Sequence, residues 1–253
     1  MTTTILISGA NRGIGLGLAE AYALRPDYTV ILAVRSPGSV PSIRTADSSR
    51  LVIIKVDASS ADHAREGIEE LKTKYGVNKL DLVIANAAIM EESVVTARVD
   101  SVSPEAFEKH WRVNVLGSLL LFQATVPLIP EGGKFIFMSS GASIIDRIPD
   151  KSDMAYGITK SSMNYLARYA HFEHPELVIF SLSPGWVQTE MGNLGARVSG
   201  REKAPITVEE SVSGMTRVID SASREKVSGL HMRYGDDSGI MLPLGNTLGQ
   251  PGL

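Results

Sequence analysis

The sequence predicts a doubly wound α/β fold, one parallel sheet with helices on both faces. Two observations carry this reading. Short β-branched apolar runs alternate with stretches of helical periodicity from end to end, and repeated β-α-β units with short connections build a parallel sheet covered on both sides. A glycine-rich turn also follows the first apolar run directly, the position at which such sheets receive a ligand.

The elements follow in order. Thr4–Ser8 reads as a buried strand, and Gly13–Leu24 as a helix through Ile14, Leu18, Ala21 and Tyr22, with Pro26 beyond it as a stop. Tyr28–Val34 is a second strand, Pro37–Ser49 a surface loop, Leu51–Val56 a third strand, Ala61–Tyr75 a polar helix and Leu80–Ala85 a fourth strand. Ser103-Pro104 opens a helix, serine as N-cap and proline at the first position, running through Trp111 and Leu121 towards Pro127. Lys134–Met138 is a fifth strand, Asp153–Phe172 a helix and Leu177–Leu182 a sixth strand. Thr207-Val-Glu-Glu210 is a capping box starting a helix to about Ala222, and Leu230–Tyr234 is a last strand. Gly192–Pro205 reads as the longest irregular stretch, placed where a substrate lid belongs. No repeat, linker or boundary interrupts the pattern, so residues 1–253 are read as a single dinucleotide-binding catalytic domain with its substrate loop near 186–206.

Composition narrows the function. The 253 residues carry a formal charge of −3, with 43% hydrophobic and 21% charged residues, as in a globular domain. Such a balance gives no electrostatic reason for nucleic acid or an anionic membrane as a partner. The chain has no cysteine, which excludes disulfides, thiolate zinc sites, iron–sulfur clusters and thiol catalysis. No basic stretch followed by an apolar run precedes the first strand, and no run reaches the ~18 residues of a membrane span. The expectation is a soluble cytoplasmic protein.

The turn Ser8-Gly-Ala-Asn-Arg-Gly-Ile-Gly15 lies between the first strand and first helix. Glycines there let backbone N–H groups approach a pyrophosphate at the helix N-terminus, which makes the fold Rossmann-type. Its spacing is G-x-x-x-G-x-G rather than the commoner G-x-G-x-x-G. An acid ending the second strand would bind the ribose hydroxyls of NAD. Here Ala33-Val34-Arg35-Ser36 has none. Arg35, with Arg12 in the loop, instead suits a 2′-phosphate, so the expected cofactor is NADP.

Tyr156-Gly-Ile-Thr-Lys160 places a phenol and an ammonium at i and i+4 on one helical face. A positive charge nearby favours the phenolate, and such a tyrosine exchanges a proton with a carbonyl or alcohol oxygen.

With these motifs the chain resembles the short-chain dehydrogenase/reductase family, in register from Thr4 to about Thr189 and more loosely to Tyr234. The resemblance rests on their order: Gly9/Gly13/Gly15, Asp57 after the third strand, Asn86-Ala-Ala after the fourth, Asn114-Val-Leu-Gly in the long helix, Ser139-Ser140 ending the fifth strand, Tyr156/Lys160, and Pro184-Gly-Trp-Val-Gln-Thr189 after the sixth. Ala33-Val34-Arg35, Ile84-Ala-Asn86-Ala and Met163-Asn-Tyr-Leu166 are similar to the family's fungal ketoreductase and carbonyl-reductase branch, to which norsolorinic acid ketoreductases belong.

The resemblance implies Tyr156 as general acid/base and Lys160 as the group that holds the nicotinamide ribose and lowers the tyrosine pKa. It implies Ser140 as hydrogen-bond partner of the substrate oxygen and Asn114 as anchor of a water linking Lys160 to solvent. Gly9, Asn11, Arg12, Gly13, Ile14 and Gly15 form the phosphate loop. Arg35, Asp57 and Asn86 line the cofactor site with Tyr156 and Lys160, and Val187 and Thr189 face the carboxamide. Two departures stand out. Ser8 replaces the family's threonine, and Ala87-Ala88 has no glycine, implying a slightly displaced backbone. Ser140 lies 16 residues before Tyr156, whereas the family's usual spacing of 13 lands on Ser143. Ser140 is preferred, because strand ends are fixed by the sheet while loops vary in length.

The segments after the fourth, fifth and sixth strands supply Met90, then Ser143, Ile144 and Ile145, then Trp186, Met191 and Leu194, with Arg147, Arg197, Arg201 and Lys203 towards the rim. A mainly apolar set of this kind suits a bulky hydrophobic or aromatic ketone. Leu116–Phe122 and the Tyr165/Tyr169/Phe172 stripe are read as core or as the face of a homo-oligomer. A non-catalytic dinucleotide sensor and an epimerase or lyase are the competing readings. The retained Tyr156/Lys160 pair argues against the first. The intact glycine loop and the short C-terminal region argue against the second.

Overall fold

The computed structural model describes residues 2–146 and 153–236. The chain runs β1 (Thr3–Ser8), α1 (Gly13–Ala23), β2 (Tyr28–Val34), β3 (Arg50–Lys55), α2 (His63–Tyr75), β4 (Leu82–Ala85), α3 (Glu92–Val95), α4 (Pro104–His110), a π-helical segment Trp111–Leu116, α5 (Gly117–Thr125), β5 (Lys134–Met138), α6 (Met154–Glu173), β6 (Val178–Ser183), α7 (Glu190–Val198), α8 (Val208–Ser221), α9 (Arg224–Val227) and β7 (His231–Arg233). The sheet order is β3-β2-β1-β4-β5-β6-β7, every pair parallel. The winding reverses between β1 and β4, and that switch point opens the crevice in which such sheets bind ligands.

Strands buried on both faces need apolar residues on both, and Leu6, Ile7, Val83, Ile84, Phe135 and Ile136 are all fully buried. Alternate residues feed two cores. On one face Ile5, Ile7, Ile84 and Phe180 pack with Leu18 and Tyr22 of α1 and Met215 of α8. On the other Leu6, Val83, Phe135 and Phe137 meet Ile68 of α2, Phe122 of α5 and Met163 of α6. The caps read from the sequence hold: Ser103 accepts from Ala106 N at 3.1 Å, and Thr207 from Glu210 N at 3.1 Å.

Three features depart from the sequence reading. The long helix expected from Ser103 passes through a π-helical stretch at Trp111–Leu116, and such bulges cluster at functional sites. The stretch read as irregular contains α7, whose Met191, Leu194 and Val198 repeat at helical spacing. Thr189 caps it, accepting from Gly192 N at 3.0 Å. The ends of the 186–206 segment are tied by Gln188 N to Ile206 O at 2.8 Å and Ile206 N to Trp186 O at 3.1 Å. Finally, Tyr165, Tyr169 and Phe172 are exposed on α6 rather than buried in the core, whereas Phe122 is buried. No helix among the described residues is long and apolar enough to cross a membrane.

Candidate active site

The glycine loop sits where three backbones converge. Gly9 has φ +67°, and a β-carbon there would lie 2.9 Å from Ala87 Cα. Gly13 has φ +57° and would meet Thr189 Cγ2 at 3.2 Å, while a β-carbon on Gly15 would strike Gly9 O and lie 2.6 Å from Asn86 Nδ2. Left-handed backbone and close approach together require glycine. Asn86 sets the turn: its amide donates to Ser8 O at 2.9 Å and Gly9 O at 3.4 Å, and Ser8 Oγ accepts from Asn86 N and Ala87 N, each at 3.0 Å. Asn86 therefore shapes the phosphate loop from behind. No side chain caps α1, whose N-cap is Arg12. Its first amides, Gly13 to Gly15, are left for an anion, and this glycine-lined cradle fits a pyrophosphate.

Around the loop, Asn11 Nδ2 donates to Ser39 Oγ at 3.0 Å, and Arg12 pairs with Glu190, the first residue of α7. Arg35 is exposed past the end of β2. Asp57 belongs to a cleft lined by Ser8, Ala58, Ser60, Ala87 and Gly117. Burial pushes its carboxyl up, but the Ser59 amide and hydroxyl, at 2.9 and 2.7 Å, with the charges of Arg35 and His63, hold it below the usual range.

The second cluster joins the end of β5 to the first turns of α6. Tyr156 stands beside the Ser140 side chain. Burial pushes the phenol up, Asp153 adds to this, and the Ser140 side chain opposes it. Lys160 is buried, with Nζ donating to Met138 O at 2.8 Å and 5.6 Å from the Tyr156 ring centroid. Burial pushes its ammonium down to about 8. Ser140 Oγ accepts from Ala142 N at 3.2 Å. The Ser143 hydroxyl is committed elsewhere: it is buried, donates to Ser140 O at 2.6 Å and accepts from Asn164 Nδ2 at 2.9 Å. Asn114, in the π-helical segment, spends its side chain on Ile89 N at 2.8 Å, Ile89 O at 3.0 Å and Thr159 Oγ1 at 3.1 Å. It ties the segment after β4 to α6.

Val187 is buried, and Thr189 lies over Gly13. Met90, Trp186 and α7 converge: a β-carbon on Gly195 would sit 3.6 Å from Met90 Cε and 3.7 Å from Trp186 Nε1. The Trp186 indole donates to Gly192 O at 2.8 Å, and the Arg201 guanidinium lies 5.6 Å over its ring. Met191, Leu194 and Ile144 are half-buried. Ile145 is 80% exposed and leaves the wall, Arg197 and Lys203 are exposed, and Arg147 lies outside the described residues.

Two participants escaped the sequence reading. Glu190 follows an N-cap threonine, but its partner Arg12 is 178 residues away. Asn164 lies one turn beyond Lys160, and that i+4 spacing was the available signal.

The family model described as enoyl-(acyl carrier protein) reductase matches residues 9–219. A norsolorinic acid ketoreductase of Dothistroma septosporum is 38% identical over 247 residues, covering 93% of this chain and 91% of that protein. The norsolorinic acid ketoreductase of Aspergillus parasiticus is 36% identical over 246 residues, covering 93% and 90%. The NADPH-bound carbonyl reductase from chicken fatty liver has the same fold, with a TM-score of 0.76 at 23% identity over 92% of this chain and 96% of that one. Such likeness defines a nicotinamide-dependent oxidoreductase, built on a sheet whose switch point carries the glycine loop. Within that class the chain belongs to the short-chain dehydrogenase/reductase family.

Proposed function

We propose that the chain is an NADPH-dependent carbonyl reductase that converts a ketone to an alcohol, with residues 1–253 forming one catalytic domain and 186–206 its substrate segment. The observation that carries the reading is the meeting of Ser140, Tyr156 and Lys160 at the end of β5 and the start of α6. When bound, the cofactor supplies the hydride that reduces the carbonyl carbon. Tyr156, kept protonated by burial, gives its proton to the carbonyl oxygen. Ser140 donates a hydrogen bond to that oxygen as charge develops on it. Lys160, still largely ionised at neutral pH, steadies the phenolate that remains.

Gly9, Gly13, Ile14 and Gly15 would hold the pyrophosphate. Asp57 and the cleft beside it would hold the adenosine, while Val187 and Thr189 would face the carboxamide. Asn114 fixes the segment after β4 against α6, with Lys160 one residue beyond its partner Thr159. Asn11 belongs with the glycine loop, and Arg35 and Arg12 would take the 2′-phosphate. Arg35→Asp is therefore expected to weaken NADPH and favour NADH in relative terms. The measurement is kcat/KM with each cofactor, and an unchanged ratio removes Arg35 from the site.

Met90, Trp186, Met191 and Leu194 support a bulky hydrophobic or aromatic ketone, as a flat ring buries area against Trp186 at ~25 cal/mol per Å². The test is NADPH consumption across ketones from acetone-sized to polycyclic. Rising kcat/KM with ring size supports the reading, and a clear advantage for small polar ketones sinks it. We place the protein in the cytoplasm as a homo-oligomer. The exposed Tyr165, Tyr169 and Phe172, spaced i, i+4 and i+7 on α6, form an apolar stripe suited to a second copy, and a sedimentation mass of one chain would overturn that.

A further inference from the structure

A proton donor and its hydrogen-bonding partner work only if their separation is held, and here they come from different elements. Tyr156 is in the first turn of α6, and Ser140 follows β5. Between the two elements lies a buried polar network. Asn164 is 4% exposed, and its two neighbours Ser139 and Ser143 are 1% and 4% exposed. Ser139 Oγ donates to Asn164 Oδ1 at 2.7 Å, with Lys160 O also in reach at 3.1 Å. Asn164 Nδ2 donates to Ser143 Oγ at 2.9 Å, and Ser143 Oγ donates to Ser140 O at 2.6 Å. Ser161 Oγ on the same helix donates to Ser143 O at 2.9 Å. The turn packs on the helix so closely that a β-carbon on Gly157 would lie 2.9 Å from Ala142 O.

The chain of bonds has a direction. Ser143 has one hydroxyl proton and gives it to Ser140 O, so it can only accept from residue 164, which must then donate. Asparagine meets that need and simultaneously accepts from Ser139. An alanine breaks both links, and an aspartate carboxylate, of the same shape, accepts only and draws the Ser143 proton away from Ser140.

We propose that Asn164 is a positioning residue: acting through Ser143, it holds the backbone of Ser140 at the distance from Tyr156 that the reaction needs. This rests on the reading of Tyr156 and Ser140 as the reacting pair. Asn164 touches neither substrate nor cofactor. Its effect falls on turnover, since small displacements of reacting groups are costly in rate.

The experiment compares kcat and NADPH affinity for Asn164→Ala in the wild-type background and in Ser140→Ala. The expected result is a fall in kcat of about 10- to 100-fold with NADPH binding unchanged in the wild-type background. In Ser140→Ala, where no hydroxyl is left to position, the same substitution lowers kcat by less than about threefold, the two residues acting as one unit. A purely structural role would give the same loss in both backgrounds and would weaken NADPH as well, and either result overturns the proposal. Unchanged kcat in the wild-type background overturns it too. Should Asn164→Ala fail to fold, Asn164→Asp keeps the shape and reverses the bond to Ser143, and the same two-background comparison applies. Wild-type kcat in Ser140→Ala alone overturns the underlying site. An impaired Ser140→Ala with an unimpaired Asn164→Ala overturns this proposal alone.

Discussion

Tyr156→Phe is expected to lower turnover by about 10²-fold or more while NADPH binds as before. The substitution keeps the ring and removes only the phenolic oxygen, the atom that gives up the proton. Lys160 does not replace it, because its ammonium is directed at Met138 O, 2.8 Å away, and lies 5.6 Å from the ring centroid. Ser140 does not replace it either: an aliphatic hydroxyl is a far weaker acid than a phenol, so it can hydrogen-bond the substrate oxygen without protonating it. The structural cost is small, since the ring stays in place and at most one polar contact with Ser140 is lost, ~1 kcal/mol. A fall in turnover without a matching fall in NADPH affinity or melting temperature therefore isolates the chemical role. The measurements are NADPH consumption on a saturating ketone, fluorescence titration of NADPH and thermal unfolding. Wild-type turnover in this variant would mean that another group protonates the product and that the Tyr156 mechanism is wrong.

The sheet was the most legible part of the molecule, because β-branched runs between glycine turns leave few other solutions. Thr207 and Ser103 announced their helices through side-chain caps, whose hydrogen bonds span only a few residues. α7 was hidden by its own composition: Gly192 and Gly195 each disfavour a helix by about 1 kcal/mol relative to alanine. It forms because Thr189 caps it, and because Gly192 packs where a β-carbon would strike Val187 O. The glycine loop and the Tyr156–Lys160 pair were visible as local spacings. What surrounds them was not. Asn114 reaches Ile89 and Thr159, and Asn164 reaches Ser139 and Ser143, across separations that only the folded sheet closes. Asn86 was read as lining the cofactor site, and its side chain grips the loop backbone. Ile145 was read as pocket wall, but after the turn at Gly141–Ser143 it comes out exposed. Periodicity reports which face of a regular element is buried; it is silent where the chain leaves that element.

Ser140→Ala is expected to lower turnover by about 10²- to 10³-fold, the usual cost of removing a donor aimed at a developing oxyanion. Ser143→Ala is expected to cost less, about 10- to 100-fold, the same loss of positioning that Asn164→Ala produces. Residue spacing alone argued the other way, since Ser143 stands 13 positions before Tyr156 and Ser140 stands 16. Sheet geometry decides between them. β5 pairs in register with β6 through Met138, and Ser139 N donates to Leu182 O at 2.8 Å, so the residue that follows is delivered to the sheet's carboxyl edge. Ser140 Oγ accepts from Ala142 N and lies beside the reacting phenol. The Ser143 hydroxyl is already committed, its proton on Ser140 O and its lone pair on Asn164. A buried hydroxyl so satisfied must break a native bond before it serves a substrate, whereas Ser140 already stands beside the phenol. The longer spacing is then an enlarged loop between two fixed ends: extra residues after Ser140 move Ser143 inward as support and leave the strand-end serine in place. Kinetics of the two alanine variants on one ketone, at saturating NADPH, decide the matter. If Ser143→Ala is the more damaging, the oxyanion role moves to Ser143, and the turn must rearrange around substrate to release its hydroxyl.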